Sequence, residues 1–179
     1  ETTLIGDHAF ENCVKLSEVY LPSTVNTMGL RPFANCGVLS HVNFADDDYF
    51  TCDNSIIFGM DAEGNKYRIV EYLEGRESGV VTADELTGVK EIAEEAFMES
   101  EVSSVDLRET EIKDIAANAF ASTPKLFGVY LPETWSSITD GAFADSNLQY
   151  LEIPGNLGFI GNEAFTNHDS ALTFYCEDG

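Results

Sequence analysis

Basic residues are scarce in this chain: nine lysines and arginines stand against 32 aspartates and glutamates, a formal net charge of −23 over 179 residues. A surface of that sign repels phosphate backbones, which argues against a nucleic-acid partner, and it opposes approach to an anionic membrane. It keeps the surface wetted and would attract a basic partner or cations. Long apolar runs are also missing. No stretch approaches the roughly 20 residues that cross a bilayer, so membrane insertion by this segment is not expected, and no signal peptide is visible. Cysteine is limited to Cys13, Cys36, Cys52 and Cys176, with no C-x-x-C pair, so neither a zinc ribbon, a thioredoxin-type motif nor a disulfide-dense scaffold is supported.

Recognisable chemistry is missing as well. No H-E-x-x-H, no Gly-rich phosphate loop after a strand and no Ser/His/Asp or Cys/His spacing is present. His8, His41 and His168 fall in unrelated contexts. With 32 acids, some carboxylate pair always sits at a distance workable for glycoside cleavage, so that signal carries no weight. The clusters Asp46, Asp47, Asp48 and Asp61, Glu63 suggest Ca²⁺ at first sight, but an EF-hand loop from Asp61 fails, since Lys66 stands where Gly is needed and Tyr72 where Glu is needed. A solvated acidic loop is the expectation, with no catalytic residue, no metal and no cofactor assigned. An enzyme, a hydrolase using an acidic pair, is the least favoured reading.

What the chain has in abundance is a phrase. "IGDHAF" (5–10) returns as "IAEEAF" (92–97), "IAANAF" (115–120), "ITDGAF" (138–143) and "IGNEAF" (160–165). Aligned on their phenylalanines, and with Phe33 added, the units sit at Phe10, Phe33, Phe97, Phe120, Phe143 and Phe165, a period of about 23 residues broken once. Each Phe follows Ala (Ala9, Ala96, Ala119, Ala142, Ala164; Pro32 in the second unit), and five residues earlier stands Ile5, Met28, Ile92, Ile115, Ile138 or Ile160. Downstream comes an apolar triplet: Leu16/Val19/Leu21, Leu39/Val42/Phe44, Val102/Val105/Leu107, Leu126/Val129/Leu131 and Leu148/Leu151/Ile153, compressed to Leu172/Phe174/Cys176 at the end.

Two periodicities alternate. "SEVYLP" and its counterparts alternate apolar and polar, the signature of a half-buried strand, and Pro22, Pro132 and Pro154 mark where the chain leaves the sheet. "IGDHAFENC" spaces its apolar residues as a short helical turn does. One coil cannot bury its apolar side alone. Stacked coils can, with strands about 4.8 Å apart and each Phe resting on the next.

These residues, "IGDHAFENCVKLSEVYLPSTV" above all, resemble the BspA-type leucine-rich repeat, I-G-x-x-A-F-x-x-C-x-x-L-x-x-I-x-I-P, over about 1–45 and 80–179. Departures are Pro32 before Phe33, the family Cys kept only at Cys13 and Cys36, and length changes in the third and last units. The resemblance implies an α/β leucine-rich-repeat solenoid, with a parallel sheet on the concave face and short helical or irregular segments on the convex face. It further implies a bacterial extracellular or cell-surface protein whose relatives bind host proteins or other cells.

The expected organisation is a single domain, 1–179, with coils at 1–45 and 80–179 and an inserted β-hairpin at about 46–79. There "NSIIFGM" and "KYRIVEYL" flank a turn with Gly64-Asn65. Neither end of the chain carries a polar cap, so a section of a longer protein, or self-association through solenoid ends, is expected. Cys13 and Cys36 occupy equivalent positions in adjacent coils, close enough for a disulfide, with free buried thiols the favoured reading.

The open face of the sheet is the candidate site. One outward column reads Tyr20, Asn43, Asp106, Tyr130, Glu152, Tyr175, and its neighbour Glu18, His41, Ser104, Gly128, Tyr150, Thr173. Tyrosine offers a flat apolar surface with a hydroxyl, suited to binding patches, although it also favours strands for their own sake. The expected ligand-binding set is therefore Tyr20, His41, Asn43, Asp106, Tyr130, Tyr150, Glu152 and Tyr175, facing a protein or glycan on another cell or host surface. The rival reading is a structural spacer within a larger surface protein.

Overall fold

The computed structural model describes residues 1–45, 48–153, 155–167 and 172–176, the last four as backbone. Asp46, Asp47, Pro154 and His168 lie outside them. The chain divides into two compact units, Glu1–Glu77 and Ser78–Gly179. Each contains parallel β-solenoid coils, and helix is almost absent. Among the described residues one 3₁₀ turn, Ala83–Leu86, starts where the Glu85 carboxylate accepts the backbone N–H of Thr82 at 2.7 Å, a capping box.

In the second unit, strands Val80–Val81, Ser104–Asp106, Gly128–Tyr130, Tyr150–Ile153 and Thr173–Cys176 form one parallel sheet. Its register runs Ser104↔Gly128↔Tyr150↔Thr173, with Val105↔Val129↔Leu151 one residue on. Val105, Val129 and Leu151 are fully buried, whereas Asp106, Tyr130 and Glu152 are half-exposed. A second parallel sheet joins Asp114–Ile115, Ser137–Ile138 and Phe159–Ile160.

Phe97, Phe120, Phe143 and Phe165 stack in one column with centroids 4.7, 5.3 and 5.4 Å apart and rings within 12° of parallel. Phe10 and Phe33 stack likewise in the first unit at 5.2 Å. Spacings near 5 Å place the faces in contact with an offset, the arrangement that aromatic quadrupoles favour. Phe97, Phe120 and Phe143 are wholly buried beside the buried alanines Ala96, Ala119 and Ala142.

The segments around these rings are irregular, not helical, and their hydrogen bonds explain why. The N–H groups of Ala119 and Ala121 turn back to Ala116 and Asn118 in their own coil, whereas those of Asn118, Phe120 and Ser122 donate to Asp140, Ala142 and Ala144 in the next. The same alternation occurs around Phe10, Phe97 and Phe143. Turning successive N–H groups inward and along the stack needs left-handed backbone two residues either side of each Phe: His8/Asn12, Arg31/Asn35, Glu95/Glu99, Asn118/Ser122, Gly141/Asp145 and Glu163/Asn167. Asn and Asp fill five of these twelve positions and Gly one, the residues that tolerate that conformation best. At His8, Glu95, Glu99 and Ser122 the cross-coil bonds offset a cost of roughly 1–2 kcal/mol each.

The first unit pairs Val19–Leu21 with Val42–Phe44 and Leu4–Ile5 with Thr27–Met28, both parallel. Beyond them comes an antiparallel meander of three strands, Phe50–Asp53, Ile56–Met60 and Lys66–Tyr72. The hairpin around Gly64 is there as expected. The strand Phe50–Asp53 is additional, joined through Asn54-Ser55, both with positive φ, which is the turn that a tight hairpin needs. Ile57, Val70 and Leu73 pack into the same core as Phe33, Leu39 and Val42.

This insertion also finishes the ladder of the second coil. The N–H of Phe33, which in other coils would meet a carbonyl of the following coil, lies 3.2 Å from both carboxylate oxygens of Glu71. The N–H of Asn35 donates to Glu74 Oε1 at 2.8 Å. Two glutamates thus stand in for two carbonyls. Glu71 is 3% exposed, and burial pushes its carboxyl up to about 8 against the opposing pull of the Phe33 N–H and the Arg31 charge.

Two outcomes are expected. Phe120→Ala should cost roughly 3–5 kcal/mol of stability. Urea unfolding followed by the fluorescence of the chain's one tryptophan, the fully buried Trp135, measures this. For Glu71 the native state binds a proton that the unfolded chain, titrating near 4.5, releases. Its contribution is therefore complete below that value and lost as pH rises through about 8. Glu71→Gln should flatten this part of the pH–stability curve, while like-charge repulsion among the other acids remains in both proteins.

Candidate binding surface on the open sheet

The expected site residues divide between the two units. In the first, Tyr20 projects outward with 73% of its surface exposed, beside Asn43 in register. Asn43 Nδ2 donates back to the Val19 carbonyl at 3.4 Å. His41 is exposed just before its strand. These three side chains line a two-stranded sheet and the segment leading into it.

In the second unit, Asp106, Tyr130, Tyr150 and Glu152 are drawn together. Tyr130 and Tyr150 come from neighbouring strands and opposite columns, with ring centroids 5.7 Å apart at 42°. The Tyr130 ring lies over Gly128: a Cβ there would sit at ordinary contact distance, 3.8 Å, from Cζ and Oη of Tyr130. The Tyr150 hydroxyl donates to Glu152 Oε2 at 3.3 Å. Tyr175 shares the column through the pairing Glu152↔Tyr175, but its side chain, like that of Thr173, lies outside the described residues.

Arg108 completes the patch. Its Nε and Nη2 meet the two carboxylate oxygens of Asp106 at 2.9 and 2.6 Å, and its guanidinium carbon lies 5.2 Å from the Tyr130 centroid. The fork holds the Asp106 carboxyl below its usual range and raises the guanidinium still further. Where the chain leaves the strands, a groove of about 550 Å³ is lined by Arg108, Glu109, Thr110, Leu131, Pro132, Glu133, Thr134 and Glu152. Strand alternation did not single out Arg108, because it stands beyond the strand. Its i,i+2 spacing from Asp106 was the available signal.

The remaining candidates separate from this patch. Cys13, Cys36 and Cys52 are free thiols, Cys36 buried with Sγ 3.2 Å from the Phe10 carbonyl. Burial pushes the Cys36 and Cys52 thiols up to about 11. Asp48 and Asp61 border a groove of about 560 Å³ with Tyr49, Met60, Ala62 and Gly64. Asp61 Oδ1 is already taken by the N–H groups of Glu63 and Asn65. Among the described residues no group of three or more His, Cys, Asp or Glu is placed to share a metal ion, and no helix is long and apolar enough to cross a membrane.

The profile of the BspA type leucine-rich repeat region matches residues 1–58 and 81–173 in six copies. The chain belongs to this family. The interval between the matched segments falls within the insertion. Solved structures agree on the fold. The pneumococcal vaccine antigen PcpA superposes with a TM-score of 0.77 at 22% identity, over 96% of this chain and 42% of its own. A leucine-rich cell surface protein of Faecalibacterium prausnitzii gives 0.62 at 26% identity, over 99% and 43%. A leucine-rich repeat protein of Bacteroides capillosus gives 0.58 at 23% identity, over 72% and 99%. The chain thus spans about two fifths of the length of the first two. No curated protein sequence matches it.

Removing the guanidinium should return Asp106 to ordinary behaviour. In Arg108→Gln its titration midpoint is expected to rise into the usual carboxylate range, as read by carbonyl NMR of the side chain. An unchanged midpoint would mean that the fork does not persist in solution.

Proposed function

We propose that this segment is a non-catalytic binding module of a bacterial cell-surface or secreted protein, and that it presents the open sheet face of its second unit to a protein or glycan. The observation carrying this reading is the paired rings of Tyr130 and Tyr150, held over Gly128 and ringed by Asp106, Arg108 and Glu152. Family membership and the surface-protein description of the Faecalibacterium neighbour support the location. Affinity comes from covering the two tyrosine faces, and specificity from the carboxylates around them. No bond is made or broken.

The double substitution Tyr130→Ala, Tyr150→Ala is the test. Both side chains are half-exposed, so the fold should survive, with an unchanged circular dichroism spectrum. On arrays of glycans and secreted proteins, the signals that the parent protein gives should be lost. Signals that persist in the double variant would reject the open face and favour a structural spacer.

A further inference from the structure

The groove beside the tyrosine pair is unbalanced in charge. Among the described residues lining it Arg108 is the one cation, against Glu109, Glu133 and Glu152, and Arg108 is already paired with a fourth carboxylate, Asp106. The cation is also supplied from within the chain in the geometry that an external one would adopt. Its guanidinium forks onto a carboxylate and lies by a tyrosine ring, while the Arg108 side chain remains 62% exposed. One ring and one carboxylate of the patch are thereby occupied. The other ring, Tyr150, stands 5.7 Å from the first and bonds Glu152 at the groove wall.

We infer that the occupant of this groove is an arginine-bearing basic segment of a partner protein, and that Arg108 acts as an internal ligand holding one of its cation positions. This rests on the open face being the binding surface. A guanidinium suits the site better than an ammonium because it is planar, forks onto a carboxylate and spreads over an aromatic ring. Leu131 and Pro132 in the groove wall offer apolar surface to the stem of such a side chain. A neutral glycan would use the rings but would leave Glu109, Glu133 and Glu152 without a counter-charge. The net charge of −23 adds long-range attraction for a basic segment without choosing where it lands.

The experiment titrates the protein with a short peptide of alternating glycine and arginine, the same peptide with glutamine for arginine, and a neutral oligosaccharide. The ring resonances of Tyr130 and Tyr150 are followed by NMR. The arginine peptide should shift both rings, the glutamine peptide neither, and the effect should weaken with salt. Tyr150→Ala with Glu152→Gln should weaken binding about tenfold. Arg108→Gln, which vacates Tyr130 and Asp106, should tighten it. Equal binding to the Tyr150/Glu152 variant would expose diffuse attraction and overturn the inference, as would weaker binding to Arg108→Gln. Rings shifted by the oligosaccharide and not by the arginine peptide would overturn the basic occupant while leaving the open face standing. If no probe shifts the rings, array signals that still depend on Tyr130 and Tyr150 sink this inference alone, and array signals independent of them sink both.

Discussion

Each coil relies on the next for two things it cannot provide itself: a flat partner for its phenylalanine ring, and acceptors for the N–H groups that its tight turns point along the stack. The contact between Phe97, Phe120 and Phe143 and the bonds from Asn118, Phe120 and Ser122 to the following coil belong to the same few residues. Ring and ladder therefore constrain each other. The left-handed positions flanking each Phe aim the donors, and ring contact and ladder together bring successive coils into line.

The same dependence explains the insertion. A coil without a successor leaves donors at its Phe and two residues beyond, and unmet buried donors are costly. After Phe33 the sequence leaves the repeat, and Glu71 and Glu74 provide the acceptors instead. A side chain reaches where a backbone carbonyl would have been, but an ionisable carboxyl replaces a group that never titrates, and at Glu71 that carboxyl is buried. The first unit thus carries a titratable element in a place where a regular coil would have none.

Outward-facing positions are free of these demands, and the two units use that freedom differently. Tyr20 and Asn43 sit side by side on a two-stranded sheet, with His41 just ahead of it. In the second unit two tyrosines meet beside Gly128, and Arg108 turns back from the loop to join them. The patch gathers aromatic surface and charge at the ends of parallel strands, where loops from successive coils also meet. A regular scaffold repeats its loops at fixed intervals, so small differences between neighbours are enough to shape a groove.

The spacing of the phenylalanines and the alternation of Val105, Val129 and Leu151 with Asp106, Tyr130 and Glu152 are enough to specify coils, strands and register, because each is a local pattern repeated until only one stacking buries it. That is why the fold, the outward positions of Tyr20, Asn43, Asp106, Tyr130 and Glu152 and the turn at Gly64 were legible, whereas Gly128, expected in the outward column beside them, is buried. The helical turn suggested by "IGDHAFENC" proved an irregular one, since apolar spacing does not reveal that alternate N–H groups leave the coil. The strand Phe50–Asp53, the capping by Glu71 and Glu74, and the junction of Arg108 with Tyr130 depend on residues distant in the chain or outside any period. Side-chain reach across space, with the burial that raises or settles a charge, decided those, and only the folded chain brings such groups together.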